Sequence, residues 1–573
     1  MVGASKWIAP SRCLLFVLLA SLVLDGTPPA MAAAASSPDD SVPSPPPPQG
    51  VIAATITAAV AAAPVCAAEE EQASMLQRQA GGTATSSEAT TAMARSTLPM
   101  SPDPLGSIAT EELGGGATRR LGATPRFLTA KASKRPPVAF DLRSRVYVPF
   151  GVGEGFGFGM GAAEQVSYDA EERFLYAVSE RGALNVVDYS NASAPSVVPG
   201  LAIDLPAFVP GGTPADVEVC RGLLFVSVVA ADKVEDGTVL IFSAVERANP
   251  TRPESRANVT VGPSPDHILP NADCTVLAVA NEGEGSYGAG LRDPEGSVDL
   301  ISNLHSESPT QVEVHRVSLR DLGDDKDLIK VGVHLPLTLK AMVYWQEFSG
   351  LKDVNFTEAR TNYRTAINLE PEYLGWSGDG RKLFVNLQEN NALVTIEFSK
   401  HGQRISTRID ALGLKDWSSR GGTDGLDLVE DGDCQLAKYN GFFSLRLADS
   451  ITVVNIDGRD FILAANEGDD KEYGDFEELQ KEDEVLDKTG QVLLPNMVAT
   501  RRVVRNHKSK LARGAEPDTR IGLGSTAVDY SIPGRPVLHR LVSHGARGIS
   551  IYRADRRALK LAWDSGSDFE REQ

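Results

Sequence analysis

Two recurrences of oxygen-bearing side chains stand out in this 573-residue sequence. Glu164, Asp216, Asp266, Glu372 and Asp449 each follow a small residue or proline and precede a short apolar run, as in Ala163-Glu164-Gln165-Val166 and Pro265-Asp266-His267-Ile268. Asn281-Glu282-Gly283-Glu284 is matched by Asn466-Glu467-Gly468-Asp469-Asp470, and more loosely by Gln388-Glu389-Asn390-Asn391. Asp293, Glu295 and Asp475 lie close behind the two better copies. Carboxylates and amide carbonyls are hard oxygen ligands, and an intervening glycine lets the backbone bend round an ion, so the chemistry that fits is Ca2+ binding. The candidate ligands are the five recurring acids together with Asn281, Glu282, Glu284, Asn466, Glu467 and Asp469. A structural reading competes with this one. An acid at a turn can equally accept backbone N–H groups of that turn, and polar loops share this composition without holding anything.

Catalytic signatures are absent: there is no G-x-S-x-G elbow, no H-E-x-x-H and no Walker loop. The glycine run Gly151 to Gly161 never forms G-x-G-x-x-G and reads as a flexible lead-in. The stretch from Asp427 to Asp433 lacks the acid at the third place of an EF-hand and the glutamate at its twelfth. His267 draws notice beside Asp266, although a lone histidine next to an acid is more commonly a hydrogen-bonded structural pair. A calcium-dependent phosphatase would use such carboxylates to hold an ion that polarises a phosphoryl group. It would also need Lys or Arg on the phosphate. The recurring positions supply none, which leaves Arg381, Lys382 and a basic segment from Arg501 to Arg513 as the cations to consider.

Those acids must be positioned by repeated elements, and the repeat is visible. Glu164 and Asp216 are 52 residues apart, Asp216 and Asp266 are 50, and each acid opens a unit of short apolar runs separated by polar turns. Three or four short strands per unit at that period is the pattern of propeller blades. The fold class is therefore all-β, a β-propeller with loop insertions, and six blade-like units are counted. The sixth is the closing stretch from Gly545 to Glu570. Insertions are expected near 306–368, with a helix around Thr357 to Ile367, near 403–445 and near 473–520. The last has an acidic half (Glu477, Glu478, Glu482, Asp483, Glu484) and a basic half.

The N-terminus has a different character. Lys6 and Arg12 precede an apolar run from Cys13 to Leu24, and Ala30-Met31-Ala32 places small residues where a signal peptidase cuts. Residues 1–32 read as a signal peptide, and the run is too short for a membrane span. Residues 33–136, rich in Ala, Pro, Ser and Thr, cannot bury enough apolar surface to offset chain entropy and read as a disordered stalk or propeptide. Residues 137–573 carry the propeller. No transmembrane helix is expected in the mature chain.

Composition agrees with a secreted or cell-surface protein. The net charge of −20 argues against nucleic acid, whose phosphates call for Lys and Arg. Beyond the leader, Cys66, Cys220, Cys274 and Cys434 permit two disulfides in three pairings, with Cys220–Cys274 preferred because both sit near matching positions of neighbouring units. Asn191, Asn258 and Asn355 head N-x-S/T sequons and are candidate glycosylation sites.

Several of these segments together resemble the choice-of-anchor I family, whose best-known members are mesenchyme-specific cell surface glycoproteins. They are Asp266 to Gly285 with Asp293 to Ile301, Glu370 to Ser399, Ile462 to Glu478 and Trp563 to Glu570. The resemblance covers roughly residues 145 to 573. The resemblance implies an extracellular propeller, linked in animals to calcium carbonate deposition, with seven blades in the family. Members usually continue into another blade after the segment resembling Trp563 to Glu570, so a last blade is expected to be missing here. The ending at Gln573 also lacks the hydrophobic tail of a GPI signal. The expected function is a non-catalytic glycoprotein that binds calcium, with extracellular matrix, a mineral surface or other cell-surface proteins as partners. The alternatives are the phosphatase-like hydrolase and a plain protein-interaction propeller.

Overall fold

The computed structural model describes residues 142–155, 161–305, 311–428, 435–511 and 519–571, and the paired dipeptides Leu18–Leu19 and Thr57–Ala58. Most of the leader and the stalk, together with Cys66 and Cys434, lie outside the described residues.

Among the described residues the chain is an all-β propeller of five antiparallel sheets, four of four strands and one of five, here called blades one to five. Blade one runs through Gln165–Asp169, Phe174–Val178, Ala183–Asp188 and Ser196–Val197, with Ile203–Asp204 as an extra partner of its third strand. Blade two comprises Thr213–Cys220, Leu223–Val229, Asp236–Ser243 and Ser255–Pro263. Blade three comprises Pro265–Pro270, Val276–Asn281, Ser297–Ser302 and Glu313–Ser318. Blade four comprises Leu374–Trp376, Lys382–Leu387, Ala392–Phe398 and Arg404–Ala411. Blade five comprises Ala448–Ile456, Arg459–Asn466, Gly548–Asp555 and Ala558–Asp564. Successive blades adjoin through their first strands.

The patterning follows from this arrangement. Middle strands are covered on both faces, so Phe174–Val178 and most of Leu223–Val229 are continuously apolar and buried. Outer strands have one wet face, and Ser255–Pro263 alternates accordingly. Side chains also stitch blade to blade. The Tyr176 hydroxyl accepts from the Val245 amide at 2.9 Å, and the Trp376 indole donates to the Leu269 carbonyl at 3.1 Å.

Two expectations about the repeat are corrected. The closing stretch is not a sixth blade: Phe461–Asn466 pairs with Gly548–Arg553, so it supplies the outer half of blade five. An excursion from Glu467 to Arg547 separates the two halves, and that is why the sequence shows them as two units. The first two insertions also start later than expected, whereas the third extends beyond both of its expected ends. Glu313–Ser318 and Arg404–Ala411 are the fourth strands of blades three and four, charged because they face solvent. Helix formation before blade four is also more extensive than expected. Asp325–Val331 is capped by Asp324, which accepts from the Asp327 amide, and Leu339–Glu347 is capped by Thr338. The expected helix is only Thr357–Thr361, followed by a 3-10 turn at Thr365–Asn368.

The three insertions share one core. Leu337, Trp345 and Phe356 from the first pack with Trp417 and Phe442 from the second and Phe476, Val485, Val503 and Leu538 from the third. Phe442–Ser444 pairs in parallel with Leu541–Ser543, joining the second to the third by backbone. Trp417 is fully buried at the centre, with its indole donating to Ser444 Oγ at 2.7 Å and Lys415 Nζ 4.6 Å from its ring. Trp417→Ala should cost about 3–5 kcal/mol through the cavity and the stranded hydroxyl. A thermal midpoint unchanged within error would show that this core does not share in the stability of the whole.

Candidate metal centre

Each recurring acid lies within three residues of the start of a first strand, and each Asn-Glu or Gln-Glu motif lies at the end of a second strand. First and second strands run antiparallel, so these two sets meet at one end of each blade. In blade four the Glu372 amide donates to the Asn386 carbonyl at 3.0 Å, beside Gln388 and Glu389.

Four of the five acids share the fifth as a neighbour. Asp266 is within electrostatic reach of Glu164, Asp216, Glu372 and Asp449, and burial first, then Glu284 and Glu164, push its pKa up to about 6. They do not all stand alike, however. Both Asp216 oxygens are taken by backbone, Oδ1 by the Val217 amide at 2.7 Å and Oδ2 by the Ile268 amide of the next blade at 2.9 Å. Asp216 is therefore a clasp between blades two and three. His267 Nε2 lies 3.9 Å from Asp216 Oδ2, and its ring stacks on Tyr373 at 3.8 Å. Burial drives the His267 pKa down to about 3, so it is a neutral packing group at physiological pH.

Glu282, Glu370 and Glu389 form an all-carboxylate cluster and can place one oxygen each within 4.8 Å of the others. Glu370 and Glu389 are buried, and Glu389 Oε2 has no hydrogen-bond partner. Glu372 lies beside Glu389, close enough for the two carboxylates to act on each other. Burial, with the neighbouring carboxylates, pushes Glu389 up to about 7 and Glu282 and Glu372 well above the usual range. Asp293, also about 6, leaves Oδ1 without a partner.

One cation enters the cluster. Lys471 is buried, bonds Glu370, and sits 3.1 Å from the Tyr473 hydroxyl. Burial opposes its charge, but Glu370, Tyr473 and Asp293 outweigh burial and hold its pKa well above the ordinary value. Gly296 makes the arrangement possible. A Cβ there would lie 2.0 Å from the Leu369 carbonyl oxygen and 2.5 Å from Pro371 Cδ, so only glycine lets the Leu369–Pro371 segment press Glu370 against the Glu282 loop.

The remaining candidates sit at the margin of the cluster. Asn281 and Asn466 are buried and donate to Ser297 and Ser550, and each leaves its Oδ1 without a partner. Glu284 is paired with Lys233, and Glu467 accepts from Gln388 at 3.3 Å. Asp469 caps the Asp470 amide at 2.8 Å, and Asp449 is pushed up to about 7 by burial and Glu467. Glu370 and Lys471 carry no repeat signal and were not singled out by the sequence. The only hint was Glu370-Pro371-Glu372, whose ends share a face of an extended chain.

The cations considered for phosphate lie elsewhere. Arg381 is tied to Asp379 at 2.6 Å and Lys382 lies 3.6 Å from Asp460. Both are at the end of blade four opposite Glu372. The described part of the basic segment is the helix Arg501–Leu511, which buries Val503 in the shared core and sets His507 3.1 Å from Glu482. Cys220 and Cys274 do meet, but as thiols, with Cys274 Sγ 3.2 Å from the Cys220 carbonyl.

A family model, the choice-of-anchor I domain, matches residues 164–573, the span that holds the five blades. This chain belongs to the choice-of-anchor I family. A choice-of-anchor I domain is a module of surface or secreted proteins, and among the described residues no helix is long and apolar enough to cross a membrane. No curated protein matches this choice-of-anchor I chain. Among solved structures it is similar to a luciferin-regenerating enzyme, at 11% identity over 54% of this chain and 72% of that one, with a TM-score of 0.27. It is similar to a chain of a nidogen/laminin complex at 8% identity over 54% and 76%, with a TM-score of 0.27. A hypothetical selenium-binding protein from Sulfolobus tokodaii gives 10% identity over 69% and 76%, with a TM-score of 0.28. Likenesses this distant carry no argument about what the choice-of-anchor I chain does.

Proposed function

We propose that this protein is a non-catalytic, extracellular or surface-held glycoprotein that holds Ca2+ among Glu282, Glu370 and Glu389. Its acidic surface would then engage matrix, mineral or other cell-surface proteins. The observation that carries the reading is three carboxylates from separate loops, packed within one ligand sphere, with a single ammonium to offset them and one buried oxygen without a hydrogen-bond partner. Buried like charges are costly unless a cation or a proton accompanies them. A flexible set of oxygen ligands suits Ca2+ better than the rigid octahedron of Mg2+. The net charge of −20 supports an encounter with cationic surfaces.

Calorimetric titration with Ca2+, using Mg2+ as control, tests the reading. Glu389→Gln and Glu282→Gln should each weaken calcium binding at least tenfold, about 1.4 kcal/mol. A folded sample that takes up no Ca2+ would sink it. Calcium uptake without adhesion to carbonate would shift the partner to protein. Calcium-dependent release of phosphate from a simple ester, lost in Asp266→Asn, would favour the hydrolase instead. Asn191 and Asn258 are exposed and fit a glycan, whereas Asn355 already donates its amide to the Ala289 carbonyl at 2.8 Å.

A further inference from the structure

A second cluster lies where the insertions meet the propeller. His334 follows the helix Asp325–Val331, Glu478 lies between two short strands of the third insertion, and His544 follows Leu541–Ser543. Their side chains are 1%, 1% and 3% exposed. His334 Nε2 is 2.7 Å from Glu478 Oε1, and His544 Nε2 is 3.5 Å from the same oxygen.

The outer nitrogens define the chemistry. His544 Nδ1 lies 2.8 Å from the Asp469 carbonyl oxygen, which can only accept, so Nδ1 carries a proton. In the neutral imidazole, Nε2 is then a lone pair aimed at a carboxylate oxygen. Two acceptors facing each other need a proton or a metal cation between them. His334 Nδ1 is likewise engaged, by Thr526 Oγ1 at 2.8 Å. Metal-binding histidines have this arrangement, one nitrogen inward and the other held by an outer partner. Glu478 Oε2 and His544 Nε2 have no hydrogen-bond partner.

The surroundings are shaped to the cluster. A Cβ on Gly522 would lie 2.5 Å from His544 Nε2, and one on Gly524 would lie 2.4 Å from Glu478 Oε1 and 2.6 Å from His334 Cε1. His334 is clamped from behind, its amide donating to the Asn390 carbonyl at 2.9 Å and its carbonyl accepting from Asn390 Nδ2 at 3.1 Å. Ligands about 2.0–2.1 Å from a tetrahedral zinc ion stand about 3.3 Å apart, and the two separations to Glu478 Oε1 bracket that value.

We propose that His334, Glu478 and His544 form a binding site for a zinc-class divalent transition metal, which staples the insertion before blade four to the insertion within blade five. Two imidazoles and a carboxylate suit such an ion and are a poor set for Ca2+, which takes oxygen. Glu478 Oε2, buried and without a hydrogen-bond partner, is available as a further ligand. Burial of all three side chains makes the site structural, loaded as the chain folds.

The test uses the whole chain, stripped with a chelator and titrated with Co2+ alone. One equivalent should be taken up with the visible d–d bands of low-coordinate cobalt, persist in excess Ca2+, and be bleached by one equivalent of Zn2+. His544→Gln should weaken uptake at least a hundredfold. Thr526→Val, which removes only the outer partner of His334, should weaken it about 10–100-fold while leaving calcium affinity unchanged. Folding of each variant is checked by circular dichroism, and the wild-type spectrum needs no variant. Absence of the bands in folded wild type, or bands that survive in His544→Gln, overturns the assignment and leaves the triad as a proton-filled ion pair. Neither result touches the Glu282 cluster.

Discussion

Stripped of divalent cations, the protein should lose stability as pH rises from about 4 to about 8, and Ca2+ should remove most of that loss. In the fold, Glu389 and Asp449 are pushed up to about 7 and Asp266 and Asp293 to about 6, by burial first and neighbouring charge second. The same side chains titrate near 4 when unfolded. Between those values the unfolded chain gives up protons that the fold keeps. Stability is therefore fully present below about pH 4 and drains away as pH passes the raised values. One pKa unit corresponds to about 1.4 kcal/mol, so Glu389 alone contributes about 3 kcal/mol across the window. A calcium ion replaces the protons and should raise the thermal midpoint most at pH 8 and least near pH 5. Thermal melts in chelator across this range, in wild type and Glu389→Gln, provide the measurement. The variant should show the shallower slope. Equal slopes would mean that Glu389 already finds its countercharge in the metal-free fold.

Much of this was legible because repetition writes itself into sequence. Fully covered middle strands leave apolar runs, turns leave glycine and aspartate, and the recurring acid falls near the start of each first strand. What was not legible has physical causes. Gly548–Asp564 belongs to a blade whose first half ended at Asn466, and sequence order hides a pairing made across an excursion. Solvent-facing outer strands such as Glu313–Ser318 carry so many charges that they resemble loop. Three insertions that seem separate along the chain pool their aromatic residues into one core. The site divided in the same way. Acids tied to the repeat were found, and one of them, Asp216, proved to be a backbone clasp. Glu370, Lys471 and the His334–Glu478–His544 triad stand outside the repeat, and only the fold brings them together.

Lys471 carries the sharpest remaining consequence, because it is both a stabiliser of the empty cluster and a competitor of any ion in it. Lys471→Met keeps length and apolar bulk while deleting the charge. Glu370 is then buried without a partner, and breaking such a pair costs about 3–5 kcal/mol. In chelator at pH 8 the midpoint should therefore fall sharply. In Ca2+ the order should partly reverse, since the ion no longer meets an ammonium beside Glu370 and Asp293. Calcium affinity should rise about tenfold, equivalent to 1.4 kcal/mol. The double variant Lys471→Met with Glu370→Gln should recover most of the lost stability, because no unpaired charge remains, and should bind calcium less well than Lys471→Met alone. Calorimetry on the four proteins of this cycle separates the two roles. Were calcium affinity to fall in Lys471→Met, the ammonium would be holding the carboxylates in place for the ion, and the view of it as a stand-in for calcium would have to be given up.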